Sequence, residues 1–158
     1  MTDYTDLYPE RTYGSGYVEV YGQHATAADI ARLVRRDLKA AKKDGAFPEG
    51  VTFSVRCRNY AGGRAVDVTI KGYEGPVSCP ECQGQRNSRT YAGLHGDLCQ
   101  TCATWNGWMA PEAEELYRVV DMMREAYNYD GSNTQIDYFD VSYYGSTTFD
   151  RRYSEVAS

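Results

Sequence analysis

The alternation of hydrophobic and polar residues along the chain predicts a small set of strands and helices. Residues 17–21 alternate with a period of two, which predicts a first strand. Thr26 followed by Asp29 has the form of a capping box and predicts a helix that extends to about residue 43. The apolar residues of this helix follow helical spacing and are Ile30, Leu33, Val34, Leu38 and Ala41. Its cations gather on the opposite face and are Arg32, Arg35, Arg36, Lys39, Lys42 and Lys43.

A β-hairpin is predicted next, because residues 51–57 and 66–70 alternate around a Gly-Gly turn. Cys57 falls on the apolar phase, which predicts an inward-facing core residue. Arg56, Arg58 and Lys71 share the polar phase, so we expect basic residues on the sheet face that the helices leave open. The return strand lacks the aromatic residues with which RNA-binding domains of this topology stack bases, so the stacking signature is predicted to be absent.

The C-terminal half completes an α+β fold. Pro111 at a first helical position and an apolar stripe ending at Tyr127 predict a second helix over 111–128, and residues 136–144 predict a last strand. The resulting order, β-α-β-β-α-β, is that of ferredoxin-like domains, with two helices on one face of the sheet. We expect a flexible arm over 1–16, the α+β domain over 17–76 and 109–153, an inserted module over 77–108 and a tail over 154–158.

The strongest motif lies in the predicted insert. Cys79, Cys82, Cys99 and Cys102 form two C-x-x-C pairs separated by sixteen residues, a spacing typical of zinc ribbons. Four thiolates complete a closed tetrahedral shell that holds no catalytic water. The expected cofactor is therefore one structural Zn²⁺ per chain, and the segment carries too few apolar residues to fold well without it.

Two alternatives to zinc stay open at this point. The cysteines could form disulfides, which an unexported chain in a reducing compartment does not favour. A redox-active C-x-x-C is disfavoured by two neighbouring pairs outside a thioredoxin-like context. His95 lies between the pairs, but it is not needed as a ligand because four cysteines fill the shell.

Charge is distributed unevenly along the chain. Of its 158 residues, 17 are Lys or Arg and 22 are Asp or Glu, which gives a net charge of −5. Residues 32–71 nevertheless carry ten cations against four acids, so a local basic surface is compatible with an acidic whole. Apolar stretches are too short for a membrane helix and the N-terminus lacks an export signal, so we expect a cytoplasmic protein without a membrane partner.

The candidates for partner binding are basic and aromatic residues. Arg86, Arg89 and Tyr91 lie between the two cysteine pairs, where arginine beside tyrosine can bind phosphate and stack on bases. On the helix and the hairpin the candidates are Arg32, Arg35, Arg36, Lys39, Arg56 and Arg58. Each of them also has a simpler interpretation as a solvated surface cation.

No motif nominates a catalytic site. The chain has two histidines and lacks a phosphate-binding loop, a nucleophile elbow and a metalloprotease motif. Asp130, Asp137, Asp140 and Asp150 would bind a divalent cation only if the fold brought them together, and their scattered placement favours surface acids. We expect a non-enzymatic protein and infer no small-molecule substrate.

Several short motifs resemble a known family. They are Phe47-Pro48, Phe53-Ser54-Val55-Arg56, Gly62-Gly63, Tyr129-Asp130-Gly131, Tyr143-Tyr144-Gly145 and Phe149. Together with the helix before them, they resemble the large polyvalent protein associated domain family, of the twenty-ninth type. The resemblance covers roughly 17–76 and 109–153, so the cysteine-rich segment looks like an insert in the family module. It implies an accessory protein of a phage or mobile element and brings no catalytic residues with it.

Two functions follow from these features as hypotheses. The first is a zinc-binding accessory protein that binds a macromolecule, with nucleic acid slightly favoured over a host protein. The second is a protein-interaction inhibitor of a host defence or transcription complex, which would use the acidic flanks and the fifteen tyrosines. The sequence leaves the oligomeric state open.

Metal analysis of the purified protein tests the zinc prediction. We expect about one Zn²⁺ per chain by inductively coupled plasma mass spectrometry, because one four-cysteine shell holds one ion. Replacing Cys79, Cys82, Cys99 and Cys102 together by serine is expected to abolish the bound zinc, whereas Cys57→Ser keeps it. A wild-type chain that carries no zinc after purification under reducing conditions contradicts the prediction.

Overall fold

The computed structural model describes residues 4–78, 109–136 and 139–150. These residues form an α+β fold with four α-helices and two sheets. Several predicted site residues lie outside the described residues. They are the four cysteines of the two C-x-x-C motifs, Arg86, Arg89, Tyr91 and Asp137. None of the described helices is long and apolar enough to cross a membrane.

The elements are short at both ends of the domain and long in its centre. The helices are α1 (Tyr4–Leu7), α2 (Tyr17–Val20), α3 (Ala27–Lys43) and α4 (Pro111–Arg124). The strands are β1 (Thr12–Tyr13), β2 (Thr52–Tyr60), β3 (Gly63–Lys71), β4 (Tyr129–Asp130) and β5 (Thr147–Phe149), and a 3₁₀ turn spans Thr134–Ile136. β1 pairs with β4, and the larger sheet has the order β2-β3-β5.

The helix α3 confirms the capping prediction. The Thr26 hydroxyl accepts a hydrogen bond from the Asp29 N–H at 3.1 Å, and the Asp29 carboxylate accepts one from the Thr26 N–H at 2.9 Å. This reciprocal pair satisfies two backbone donors that would otherwise lack partners at the helix start. Lys42 and Lys43 lie in the last turn, where cations are favourable beside the helix C-terminus.

One hydrophobic core lies between the helices and one face of the larger sheet. Its buried side chains include Ile30, Val34, Leu38, Val66, Val68, Ile70, Leu116 and Val120. Tyr127 and Tyr143 complete it, and the Tyr143 hydroxyl donates a 2.5 Å hydrogen bond to the Arg124 carbonyl. Burial raises the pKa of the Tyr143 phenol, so it stays a neutral donor. The core therefore joins α3, α4 and the chain that leads into β5.

The predicted first strand is wrong, because residues 17–20 form the helical turn α2. The N–H groups of Gly14 and Gly16 donate to the carbonyls of Asn128 and Ala126, at 2.8 and 2.7 Å. These bonds hold the chain beside the end of α4, away from the larger sheet, and Val18 is 67% exposed. The described residues therefore have the α+β class without the ferredoxin-like strand order.

The last strand also lies later than predicted. Residues 134–136 form the 3₁₀ turn, Val141 and Tyr144 make isolated bridges, and β5 begins only at Thr147. Gly145 separates the bridge from the strand, with a φ of 145° that few other residues adopt. The last strand is therefore short and parallel to β3.

Part of the predicted N-terminal arm packs against the domain. β1 pairs with β4 through Thr12 and Tyr13. The Arg11 guanidinium donates to both carboxylate oxygens of Asp140, at 2.8 and 3.1 Å. The same group lies 3.8 Å from the ring centroid of Tyr8 and 3.9 Å from that of Tyr129. Residues 8–13 are thus tied to the C-terminal part of the chain.

The two ends of the predicted insert meet. Ser78 and Met109 form an antiparallel bridge, and the Ala110 N–H donates to the Val77 carbonyl at 2.9 Å. Residues 78 and 109, which flank a segment of thirty residues in the sequence, therefore lie side by side. Because its ends are already joined, the segment can be inserted without interrupting the packing of the core.

A matched pair of glycine substitutions tests the approach of β5 to β3. Gly145→Ala is expected to lower the free energy of unfolding by about 2 kcal/mol more than Gly62→Ala. Both glycines have positive φ, but only a Cβ at position 145 would collide with the Val66 carbonyl, whereas nothing lies within 4 Å of one at Gly62. Urea unfolding measures both losses, and equal values would contradict the close approach.

Candidate functional site

Within the described residues, the helices cover only one face of the larger sheet. Alternate residues of β2 and β3 point into the core, among them Val55, Val66 and Val68. The opposite set points away from α3 and α4. We call it the open sheet face, and it comprises Thr52, Ser54, Arg56, Arg58, Tyr60, Asp67, Thr69, Lys71, Tyr144 and Thr148.

Two exposed tyrosines lie side by side on the open sheet face. The ring centroids of Tyr60 and Tyr144 are 6.5 Å apart, and the residues are 43% and 41% exposed. Small residues beneath them make this possible. Gly63 pairs with Tyr60, and a Cβ at Gly63 would lie 3.0 Å from the Tyr60 hydroxyl. Ala65 pairs with Tyr144 and is fully buried. The two rings therefore offer adjacent π surfaces to solvent.

An ion pair borders the tyrosines. The Arg58 guanidinium donates to the Asp67 carboxylate at 3.0 Å and lies 5.5 Å from the ring centroid of Tyr60. The N–H of Ser146 donates to the other Asp67 oxygen at 3.0 Å. Partial burial raises the pKa of Asp67, but the hydrogen bonds from Arg58 and Ser146 and the charge of Arg58 outweigh it and lower the pKa overall. Asp67 is thus ionised at neutral pH and links β3 to the chain before β5.

The remaining cations of this face have no acidic partner in the described ranges. Arg56 and Lys71 are exposed, and neither forms an ion pair there. The open sheet face therefore combines two exposed aromatic rings, one paired arginine, two cations without an acidic partner in these ranges and several hydroxyls. Aromatic rings stack on bases and cations bind phosphates, so this combination suits a single-stranded nucleic acid.

The basic residues predicted on the helix differ in whether they form ion pairs. Arg32 pairs with Asp29 at 2.8 Å. Arg36 pairs with Glu19 and Asp37, at 3.3 and 3.0 Å. Their charges are therefore neutralised locally, as in the simpler interpretation of solvated surface cations.

Arg35 and Lys39 differ from these two, because neither has an acidic partner in the part of the chain that the structure describes. Arg35 Nη2 donates to the Val55 carbonyl at 2.6 Å. All four helical candidates lie on α3, which packs on the opposite face of the sheet from Tyr60. Of the sequence-predicted binding residues that the structure describes, only Arg56 and Arg58 lie on the open sheet face.

Cys57 corrects a prediction. The sequence predicts it inside the core, yet it is exposed, and so is every residue of β2 from Arg56 to Tyr60. The reason is that β2 is an edge strand whose second half extends past the residues of α3 that cover Val55. The apolar phase of a strand is buried only as far as another element covers it.

Tyr60 and Tyr144 are not among the binding residues predicted from the sequence. β3 carries no aromatic residue, as predicted, and the two exposed rings lie instead at the end of β2 and in the chain before β5. Tyr60 was visible as a member of the polar phase that holds Arg56 and Arg58. Tyr144 reaches the site only because the chain before β5 runs parallel to β3 and places it beside Ala65.

The described residues contain no group of three or more His, Cys, Asp or Glu side chains arranged to hold a metal ion. Asp140 pairs with Arg11, and the Asp130 carboxylate accepts the Ser132 N–H at 2.8 Å. The four paired cysteines and Asp137 are outside these ranges, so the zinc expectation rests on their spacing.

No protein-family model, curated protein or solved structure matches the chain. Function is therefore inferred from the chemistry of the open sheet face and from the cysteine spacing.

The lowered pKa of Asp67 predicts a pH-dependent contribution to stability. Asp67→Asn is expected to lower the free energy of unfolding by about 1 kcal/mol at pH 7, because the neutral amide loses the ion pair with Arg58. A carboxyl group with a depressed pKa stabilises the fold above its unfolded pKa. The difference between wild type and variant should therefore persist down to about pH 4 and shrink below it. Urea titrations at several pH values measure it, and a difference unchanged at pH 3 contradicts this role.

Proposed function

We propose that this protein binds single-stranded nucleic acid through its open sheet face, with bases stacked on Tyr60 and Tyr144 and phosphates held by Arg56 and Lys71. The observation that carries the proposal is the pair of exposed tyrosine rings 6.5 Å apart, on the same sheet face as Arg56 and Lys71, which lie farther along the strands and lack acidic partners in the described residues. Single strands fit better than duplexes, because only unpaired bases present their flat faces to an aromatic ring.

The stacking contribution is expected to be large relative to the electrostatic one. Stacking on an aromatic side chain contributes about 1–3 kcal/mol per base. The favourable charge is local, since the whole chain has a net charge of −5. At physiological salt the field of Arg56 and Lys71 extends only about 8 Å, so it acts on phosphates that already lie at the face.

We include the four-cysteine segment in this proposal as a zinc-stabilised module. The joined ends at Ser78 and Met109 support an insert that folds around its own metal. Arg86, Arg89 and Tyr91 belong to the same segment and would add phosphate and base contacts of the same kind. In this proposal the chain is a non-enzymatic accessory protein, of the phage or mobile-element type that its family resemblance implies.

Inhibition of a host protein complex is the second candidate. It was suggested by the tyrosines of the acidic flanks. Tyr17 contacts both Tyr13 and Tyr129, with ring centroids 5.1 and 5.6 Å apart. Contacts inside the fold account for Tyr13, Tyr17 and Tyr129, so fewer tyrosines of the flanks are left to bind a partner, and this candidate ranks below nucleic-acid binding.

Leucine substitutions of the two tyrosines test the proposal. With fluorescein-labelled oligothymidylate at low salt, Tyr60→Leu and Tyr144→Leu are each expected to weaken binding by about 5- to 150-fold in fluorescence anisotropy, because each removes one stacking surface. Arg56→Gln combined with Lys71→Gln is expected to reduce the slope of log Kd against log salt concentration by about 1.4, because two phosphate contacts are lost.

Tyr21→Leu provides the matched control, since Tyr21 is an exposed tyrosine on a different part of the domain. It is expected to bind like the wild type. Unchanged binding by the Tyr60→Leu/Tyr144→Leu double variant would refute the open sheet face as the site. If the four-serine variant then loses binding, the cysteine-rich insert is the binding element.

A further inference from the structure

Strand β2 lies at the edge of the larger sheet. Among the described residues, β3 pairs with one side of β2 and no strand pairs with the other. The antiparallel register pairs Arg58 with Ala65 and Arg56 with Asp67. Because a strand directs the main-chain groups of successive residues to alternate sides, the register and the bonds of β3 determine which groups of β2 face outward.

The hydrogen bonds of β3 show which of its residues direct their main-chain groups toward β5. The N–H groups of Val66 and Val68 donate to the carbonyls of Tyr144 and Ser146, and the Ile70 carbonyl accepts from the Asp150 N–H. These residues of β3 therefore face β5, and the alternate ones, opposite Arg56 and Arg58, face β2.

It follows that the main-chain groups of Phe53, Val55, Cys57 and Asn59 point to the open edge. The 2.6 Å hydrogen bond from Arg35 Nη2 to the Val55 carbonyl comes from that side and agrees with this assignment. Along the described chain, no other hydrogen-bond partner occupies these outward groups.

Cations of α3 line this edge. Arg35, Lys39 and Lys42 follow one another at i, i+4 and i+7, so they share one face of the helix. With Thr52, Phe53 and Val55 of β2 they line a groove of about 320 Å³. No carboxylate lines the groove, and none of the three cations has an ion pair within the ranges described. Arg56 adds a cation on the other side of the same edge.

We propose that β2 binds an extended, acidic peptide segment of a partner protein by strand addition. The main chain of the segment pairs with Phe53, Cys57 and Asn59. Its acidic side chains on the helix side meet Arg35, Lys39 and Lys42, and those on the other side meet Arg56. Strand addition of this kind takes affinity from main-chain hydrogen bonds and specificity from the flanking side chains.

A peptide fits this edge better than a nucleic acid does. The edge presents N–H donors and C=O acceptors alternately, and only another peptide backbone supplies both complements at that spacing. A sugar-phosphate backbone is almost entirely an acceptor, so it would leave the outward carbonyls of Cys57 and Asn59 without donors. A second copy of β2 is also disfavoured, because Arg56 and the cations of α3 would meet their own like charges.

The probe is a short capped peptide that alternates glutamate with valine, and the control is the same peptide with lysine in place of glutamate. Binding to the full-length protein is followed by fluorescence anisotropy and by the amide NMR signals of β2. We expect the glutamate peptide to shift the amides of Phe53, Cys57 and Asn59 and to slow their hydrogen exchange, and the lysine peptide to bind at least about tenfold more weakly.

Two sets of variants separate strand addition from simple charge attraction. Cys57→Pro removes an outward N–H without breaking a bond to β3, which an edge strand tolerates. It is expected to weaken peptide binding about tenfold or more, whereas Cys57→Ser binds like the wild type. Lys39→Glu combined with Lys42→Glu is expected to reverse the preference in favour of the lysine peptide. If Cys57→Pro does not fold, a peptide N-methylated at alternate amides replaces it and should fail to bind.

Three results would overturn the inference. They are equal binding of the glutamate and lysine peptides, wild-type affinity of the folded Cys57→Pro variant, and oligothymidylate shifting these three amides while the peptide does not. The last would assign the edge to nucleic acid. Tyr60→Leu/Tyr144→Leu is expected to keep peptide binding, so the edge and the open sheet face can fail independently.

Discussion

The central strand β3 is the constraint on which the described fold depends. It is hydrogen-bonded on both sides, antiparallel to β2 and parallel to β5, and its residues Val66, Val68 and Ile70 are fully buried beneath the helices. A strand held on two edges and one face has one register, because a shift by one residue would turn its valines to solvent. The positions of Tyr60 and Tyr144 follow from that register.

The parallel pairing of β5 converts a distant segment into part of the same surface. β5 is only three residues long, yet Gly145 lets the chain before it pass against the Val66 carbonyl. Arg124 secures the same region from the other side, since its guanidinium donates to Asp121 and to Thr147 Oγ1. Because α4, β3 and β5 meet here, the same contacts hold the core together and position the residues of the open sheet face.

Pairing of charges decides which cations are available to partners. α3 carries six cations, and the two nearest α2 and the helix start are neutralised by Glu19, Asp37 and Asp29. The cations beside β2 are Arg35, Lys39 and Lys42, and they form no ion pair within the described residues. An exposed ion pair adds little stability, but it removes a cation from the set that can attract a ligand. From the sequence, the cations of α3 form one basic face. Which of them are neutralised depends on the acidic residues that the fold brings next to them.

Elements whose signals are local can be predicted from the amino-acid sequence alone. The capping box at Thr26, the apolar stripe of α3, the hairpin turn at Gly62 and the start of α4 at Pro111 depend on residues a few positions apart, so pattern and propensity suffice to predict them. The zinc expectation is of the same kind, since the spacing of four cysteines is a property of the chain alone.

The other features depend on contacts between distant parts of the chain. Residues 17–21 alternate like a strand, but 17–20 form α2, because a strand needs a neighbour and the bonds of Gly14 and Gly16 place this segment beside α4. Cys57 has the apolar phase but no element covers it. The tyrosine pair joins the ends of two segments far apart in sequence, through a parallel pairing that no local pattern encodes. The physical reason is common to all three, because burial and strand pairing depend on what lies opposite a residue in space.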